Sequence, residues 1–252
     1  MYKILANTLF IGKKLVFVPE CHSTNSLALE LSQKQDLPDG TLILTNHQLR
    51  GRGQQGNAWI SETGKNLTFS LIVKPSFLAI KDQFLLNMVV SLGVRDFVQS
   101  KITQGVNVKW PNDVMVDDRK ICGILIENQI QGPGFTNSII GIGLNINQMG
   151  FHFNNAVSLT MVTGRNYELQ GVLEEICGLL EKWYMVLKHK GGDRVRESYQ
   201  STLFGLNESR MFITNGRHFV GVIKGVDDHG RLMINEDGRT NLFNTKEVQF
   251  DF

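Results

Sequence analysis

The run from Asn107 to Glu127 limits the folds open to this chain more than any other stretch. It reads Asn-Val-Lys-Trp-Pro-Asn-Asp-Val-Met-Val-Asp-Asp-Arg-Lys-Ile-Cys-Gly-Ile-Leu-Ile-Glu. Pro-Asn-Asp and Asp-Asp-Arg-Lys are turn-forming clusters, and the apolar pieces around them are too short for helices. The segment therefore predicts three consecutive strands joined by two tight turns. It also sets Lys109, Asn112, Asp113 and Lys120 close together on stiff β structure. Cations, an amide and a carboxylate fixed in this way suit an anionic, phosphate-bearing intermediate. On this segment alone, ordinary turns with solvated charges explain the pattern equally well.

Strands are also expected at Leu15–Val18, Thr41–Thr45, Leu67–Val73 and Ser138–Asn147. A short helix should follow Ser23-Thr-Asn25, which offers N-cap side chains, with Leu27 and Leu31 on one face. Longer amphipathic helices are expected over 80–100, with Phe84, Leu85, Met88, Val89 and Leu92 in helical phase, and over 168–189, with Val172, Leu173, Ile176, Leu180, Trp183 and Leu187. Lys190-Gly-Gly-Asp193 punctuates the chain, and a short helix over Arg194–Gln200 follows. From about Met211 the pattern becomes short strands with close turns, as in a small barrel. The expected architecture is α+β: a mixed, largely antiparallel sheet with packed helices, followed by a small β-barrel. The divisions fall at 1–190, 191–206 and 207–252.

At 252 residues with 42% hydrophobic content, the chain can bury a substantial core. A net charge of +2 without a Lys/Arg block does not suggest a nucleic-acid binder. Three cysteines, Cys21, Cys122 and Cys177, with no Cys-x-x-Cys pair, fit a reducing cytoplasm rather than a disulfide framework. No Cys/His spacing suits zinc. Phe84–Val94 is broken by Asn87, Ser91 and Gly93, so it predicts a core helix and not a membrane span.

Gly51-Arg-Gly-Gln-Gln-Gly56 matches the dinucleotide fingerprint letter for letter. That fingerprint needs a helix opening at the last glycine and an acid about twenty residues on. Asn57-Ala-Trp-Ile-Ser-Glu-Thr-Gly64 has no helical period, and no acid lies between Lys65 and Lys81. The glycines instead suggest a loop whose N–H groups point at a ligand, with Arg52 supplying a cation to a carboxylate or phosphate. A flexible surface loop is the simpler alternative, and Trp59 just downstream argues against it.

Five separated motifs now stand in order. They are Ser23-Thr-Asn25, then Gln48 with Gly51-Arg-Gly53 and Trp59, then Lys109-Trp-Pro-Asn-Asp113, then Lys120 with Gly123, and Gly141-Ile-Gly-Leu-Asn145. From about residue 15 to 190 the chain resembles the biotin protein ligases, with a C-terminal part similar to that family's small SH3-like domain. The resemblance implies a class II synthetase-like fold and a two-step reaction. Biotin's carboxylate attacks the α-phosphate of ATP, giving biotinyl-5′-AMP and pyrophosphate. A lysine of the biotin carboxyl carrier domain of a carboxylase, such as acetyl-CoA carboxylase, then takes the biotin as an amide.

By motif position the resemblance gives biotin contacts to Ser23, Thr24, Asn25, Gln48, Gly51, Arg52, Gly53, Gln54, Lys120 and Gly123. ATP contacts fall to Asn57, Trp59, Lys109, Asn112, Asp113 and Asn145, with Lys120 and Arg52 the catalytic cations and Asp113 touching Mg²⁺. A homodimer is compatible with it. Ser-Thr-Asn as a plain helix cap, and Cys122 as a small buried hydrophobe beside Lys120, are the competing local readings. Octanoyl transferases of the same general fold pair a lysine with a nucleophilic cysteine. Competing functional readings are therefore a lipoate or octanoate enzyme on the same fold, and a non-catalytic binder of biotin or its adenylate.

Two features depart from the family pattern. No repressor-type helix-turn-helix is expected before residue 23. Gln54 and Asn57 stand where many members carry arginine, so Arg52 is the loop's one cation. A charge-assisted hydrogen bond contributes about 1.5–3 kcal/mol, so this loop should hold an adenylate less tightly, with Gln54 as a neutral donor. Gln54→Ala is expected to shed bound adenylate faster than the parent, measured by filter-binding dissociation; equal rates would refute a role for Gln54.

Overall fold

The computed structural model describes residues 2–103, 105–151 and 155–251, with the backbone alone at residue 55. Seven strands form the main sheet: β1 (Leu15–Cys21), β2 (Thr41–Gln48), β3 (Leu67–Val73), β4 (Val106–Lys109), β5 (Asp113–Val116), β6 (Arg119–Gln131) and β7 (Gly134–Leu144). Their order is β1-β2-β3-β7-β6-β5-β4. β1 and β2 run parallel, and every other neighbouring pair is antiparallel. The three strands expected from Asn107 to Glu127 are β4, β5 and the first part of β6.

Alternation along these strands sorts the two faces of the sheet. Leu42 and Leu44 of β2, Leu67, Phe69, Leu71 and Val73 of β3, and Ile140, Ile142 and Leu144 of β7 join the large core. Lying over this face are α2 (Phe84–Lys101) and, packed on α2, α4 (Leu169–Lys190). Gly93 marks the helix crossing, because a Cβ there would come within 2.8 Å of Leu180. The other face carries Ile43, Ile72 and Ile139, covered by α1 (Thr24–Lys34) through Ala28 and Leu37 nearby. β3 is buried along its whole length because both faces are covered.

The expected elements shift at their ends for identifiable reasons. The helix expected from residue 80 starts as a single 3₁₀ turn, Ile80–Asp82, and becomes α2 only at Phe84. β7 stops at Leu144 instead of Asn147, because Ile146 N donates to Asn66 Oδ1 at 2.9 Å and Asn147 N to Lys65 O at 2.8 Å. Two short helices complete this part: α3 (Leu159–Thr163) and α5 (Gly192–Ser201).

The N-terminal segment is held by one acid. Glu181 of α4 is buried and accepts from the backbone N–H groups of Leu9 at 2.6 Å, Phe10 at 2.8 Å and Ile11 at 2.9 Å. Removing it leaves three donors facing a core helix with no partner. Glu181→Ala is expected to lower unfolding stability by about 2–4 kcal/mol, read from the urea midpoint at unchanged slope.

β8 (Ser209–Thr214), β9 (Arg217–Val226), β10 (Leu232–Glu236), β11 (Arg239–Phe243) and β12 (Gln249–Phe250) form a second, antiparallel sheet in the order β11-β10-β9-β8-β12. This sheet stands where a small β-barrel is expected; among the described residues its outer strands, β11 and β12, do not pair to close it. Its inner side is a row of rings, with Phe243 on Phe219, Phe219 on Phe212 and Phe212 on Phe250, at centroid separations of 5.2–6.0 Å. Phe212, Phe219, Ile223, Leu232 and Ile234 belong to the same continuous core as the main sheet. Trp110 Nε1 donates to Gly230 O at 2.9 Å, tying the strand that carries Lys109 to this second sheet.

Candidate active site

The face opposite α2 is cleared by glycines. In sheet register, Ser70, Gly141 and Leu125 form one row, and Thr68, Gly143, Gly123 and Asp113 the next. A Cβ on Gly141 would come within 2.5 Å of Asn25 Oδ1. On Gly143 it would enter the Trp59 ring, and on Gly123 it would lie 3.0 Å from that ring and 3.1 Å from Lys120 Nζ. These glycines let Asn25, Trp59 and Lys120 lie against bare backbone. Above them is a cavity of about 590 Å³.

One end of the cavity is built by the start of α1. Ser23, Thr24, Asn25 and Gln48 all line it, and the first three are buried. Ser23 holds the N-cap backbone position, but its side chain makes no capping hydrogen bond, so capping does not account for that residue. Thr24 N donates to Gln48 Oε1 at 2.7 Å. Asn25 Nδ2 donates to Leu125 O at 3.1 Å and to Glu127 Oε2 at 2.8 Å. Ser70 Oγ lies 2.6 Å from Asn25 Oδ1 and 2.8 Å from Thr24 Oγ1.

The glycine loop closes one side. Trp59 N donates to Gly51 O at 2.9 Å and Gly53 N to Asn57 O at 2.7 Å, so residues 51–59 form a tight turnback with one 3₁₀ turn at Gln54–Gly56. Arg52, Gly53, Gln54, Asn57 and Trp59 face the cavity. Gly51 does not, because its Cβ position is filled by Trp59 O and Gln48 Nε2; it serves the turnback. Arg52 Nη2 is 2.7 Å from Glu127 Oε2, a partly exposed pair.

Lys120 and Asp113 meet at the middle, Nζ to Oδ1 at 2.6 Å. The strand alternation that would put Cys122 beside Lys120 fails, because β6 bulges against β5. Met115 pairs with Lys120 and Val114 with Cys122, leaving Ile121 as the extra residue. Lys120 therefore shares a face with Gly123, while Ile121 and Cys122 turn into the core. Complete burial pushes the Cys122 thiol far above its ordinary range, which makes it a small hydrophobe and a poor nucleophile. The Lys120 backbone is pinned by Asn155 O, 2.7 Å from Lys120 N, and by Val157 N, which donates to Lys120 O at 3.0 Å.

Lys109 and Asn112 complete this wall. Burial pulls the Lys109 ammonium below its usual range, with Asp113 raising it and Lys120 lowering it further. Its Nζ lies 5.1 Å from the Phe250 ring centroid. Asn112 fixes the turn to β6, since its Nδ2 donates to Ile124 O at 2.7 Å and its carbonyl accepts from Ile124 N at 3.0 Å.

Asn145 lies in an adjoining chamber of about 470 Å³ that shares Trp59 and Lys120 with the first. Its Nδ2 donates to Val157 O at 3.1 Å, but its Oδ1 is buried with no partner, as is Trp59 Nε1. Orphaned buried polar atoms beside a chamber point to a ligand that pairs with them.

Three contributions escaped the sequence. Thr68 and Ser70 are polar positions alternating with Leu67, Phe69 and Leu71, a pattern that could have flagged a polar face on β3. Glu127 closes the segment that first drew notice. Thr245, Lys246, Val248, Gln249 and Phe250 line the cavity from the second sheet, and nothing local announces that.

The 28% identity to the bifunctional ligase/repressor BirA of Bacillus spizizenii extends over 229 residues, 89% of this chain and 70% of that protein. The biotin–[acetyl-CoA-carboxylase] ligase of Paracoccus denitrificans is 26% identical, covering 90% of this chain and 97% of its own. Among solved structures, the biotin protein ligase of Aquifex aeolicus in complex with biotin and ATP superposes with a TM-score of 0.79 at 23% identity, over 95% of this chain and 100% of that one, a likeness of fold. The family model for biotin/lipoate A/B protein ligases matches residues 18–145, from β1 through the glycine loop and the Lys120 strand to Asn145, and the chain belongs to that family.

Proposed function

We propose that this enzyme activates biotin with ATP to biotinyl-5′-AMP and transfers the biotin to a specific lysine of a biotin carboxyl carrier domain. The observation that carries the reading is the seat of Lys120. Its ammonium stands over the glycine floor where two chambers meet, one ending in the Ser23, Thr24, Asn25 and Gln48 hydrogen-bonding groups and the other in Asn145 and Trp59. An acid whose head group sits at the first end brings its carboxylate to Lys120, and a nucleotide in the second brings its α-phosphate to the same ammonium. Two anions then meet beside a fixed cation, which lowers their repulsion as the new bond forms.

Ser23, Thr24, Asn25 and Gln48 offer donors and acceptors for the ureido ring. Arg52, Gly53 and Gln54 close over the acyl-phosphate, and Gly123 leaves room for it. Lys109, Asn112, Asp113 and Asn57 take the phosphate side, with Asn145 and Trp59 beside the base. Gly51 supports the loop without lining the cavity. In the second step the carrier lysine's amine attacks the mixed anhydride's carbonyl carbon, the C–O bond to phosphate breaks, and AMP leaves.

Among the described residues no three His, Cys, Asp or Glu side chains stand together as a metal site. Asp113, the one acid among the described residues lining the first cavity, fits Mg²⁺ of the kind held by a single carboxylate together with substrate phosphates, and the ion would supply charge neutralisation there. Residues 1–190 form the catalytic domain in this reading, 191–206 the connection and 207–252 a wall of the first cavity, through Thr245 to Phe250. No helix among the described residues is long and apolar enough to cross a membrane. Unpaired Cys21, Cys122 and Cys177 suit a reducing cytoplasm.

Pyrophosphate exchange with biotin, lipoate and octanoate in turn, followed by transfer to a carrier domain, tests the assignment. Exchange with biotin and labelling of the carrier lysine is the expected result. Exchange only with lipoate or octanoate, or with no acid, would overturn it. The core-facing, inert Cys122 already speaks against a cysteine-based acyl transfer.

A further inference from the structure

We infer that Glu127 and Ser70 are positioning residues that fix which way the hydrogen bonds run at the head-group end of the cavity, and so set its preference for a ring that offers an N–H. The inference rests on the biotin reading above. It follows from counting protons along one chain of contacts, buried at Thr24, Asn25 and Ser70 and ending in the partly exposed Glu127.

Asn25 Nδ2 faces two groups that only accept, Leu125 O at 3.1 Å and Glu127 Oε2 at 2.8 Å. Both amide protons are spent there, so Asn25 Oδ1 must be the atom facing Ser70. Ser70 has one proton and two oxygen neighbours, Asn25 Oδ1 at 2.6 Å and Thr24 Oγ1 at 2.8 Å. Oδ1 can only accept, so the Ser70 proton goes to Asn25. The short Ser70–Thr24 contact then needs the Thr24 proton, which makes Thr24 the donor. Gln48 Oε1, 3.2 Å from Thr24 Oγ1, takes its proton instead from Thr24 N at 2.7 Å.

The consequence is a polarised chain, Thr24 to Ser70 to Asn25 to Glu127. Thr24 Oγ1 faces the cavity with its proton turned away and lone pairs outward. Gln48, a cavity-lining residue with its oxygen committed to Thr24 N, has Nε2 left as a donor beside Gly51. The wall therefore presents an acceptor and a donor in a fixed order, which matches the N–H and C=O of a cyclic urea. A dithiolane or an alkyl chain offers nothing to that acceptor. Ser70 and Asn25 are both buried, so no bulk solvent competes to reorient them.

Glu127 anchors the chain and also binds Arg52 at 2.7 Å through the same Oε2. One carboxylate thus orders the head-group contacts and tethers the loop that carries Arg52. Gly141 is part of the arrangement, because any side chain there would strike Asn25 Oδ1.

The test compares biotin with an analogue methylated on its ureido nitrogens, which keeps the ring and carbonyl but has no N–H. Steady-state kcat/KM for pyrophosphate exchange is measured for both acids in the parent, Ser70→Ala and Glu127→Gln. The parent's turnover of biotin checks the underlying assignment separately. In Ser70→Ala the Thr24 proton is released to point at the ligand or Gln48, and in Glu127→Gln the anchor can donate as well as accept, leaving Leu125 O as the one acceptor-only group on the Asn25 amide. Each variant should lose about tenfold to a hundredfold of the biotin-over-analogue ratio, chiefly through KM for biotin, with thermal midpoints near the parent's. Glu127→Asp, which keeps an acceptor-only anchor, should recover part of the ratio. If the two acids fall together, so that the ratio stays within about twofold of the parent in Ser70→Ala and Glu127→Gln, the chain sets no direction and the inference is wrong.

Discussion

Lys120→Ala is expected to abolish adenylate formation, with ATP–pyrophosphate exchange falling by about a thousandfold or more while the protein stays folded. Two anionic oxygens approaching to about 4 Å repel by about 4 kcal/mol at an effective dielectric near 20, which is nearly three decades in rate if nothing offsets it. Lys120 is the ammonium placed to offset it. Arg52 is partly exposed and committed to Glu127, and Lys109 is partly stripped of water, with its proton held less firmly. Lys120→Arg should not restore activity, because a planar fork does not reproduce a point-like ammonium set 2.6 Å from Asp113 Oδ1 and 5.7 Å from the Trp59 ring centroid. The bridge to Asp113 is partly exposed, so its loss should alter stability little. Exchange at the parental rate in Lys120→Ala would remove this residue from the chemistry.

Gly143→Ala should be nearly as damaging by a different route. A single methyl there enters the Trp59 ring, which rests on the backbone of β7 and forms the shared wall of the two chambers. The ring must lift, or β7 must bend; overpacking of this kind costs about 1–3 kcal/mol in stability. The larger effect is on geometry, since a displacement of about 1 Å at a reacting centre can cost about a hundredfold in rate. A loss of that order in kcat/KM for ATP is expected, together with a change in Trp59 fluorescence. Gly134→Ala is the control on the same strand, because a Cβ there meets nothing within 4 Å. Equal behaviour of the two variants would show that the glycine floor does not matter.

What the sequence could tell about this site depended on whether the signal was local. Turn chemistry located the two reversals, at Pro111-Asn112 and Asp117-Asp118, while Asp113 and Lys120 themselves fall on β5 and β6. Leu67–Val73 was readable because bulky β-formers fill it. Rejecting the dinucleotide fold was also a local argument, and residues 51–59 do turn back on themselves instead of opening a helix. The failures were all non-local or irregular. The bulge at Ile121 breaks the period of two on which the placement of Cys122 beside Lys120 relied. Ser70 and Glu127 reach Asn25 only through the register of β3, β7 and β6, which joins residues far apart in the chain. Phe250 and its neighbours meet the cavity because the second sheet shares a core with the first, a matter of packing that no short pattern encodes.

The lone parallel pair in an otherwise antiparallel sheet decides where all of this can happen. β1 and β2 point the same way, so the chain leaves both at one rim of the sheet: α1 opens at Thr24 just after the first, and the glycine loop opens just after the second. Had the pair been antiparallel, one exit would lie at the far rim, about 20 Å away for strands of this length. Gln48 could not then touch Thr24, nor could Arg52 and Asn25 share one carboxylate. The helix that links two like-directed strands thus brings the recognition of one molecule and the handling of another to a common doorway, an arrangement akin to the crevice at strand ends in open α/β sheets.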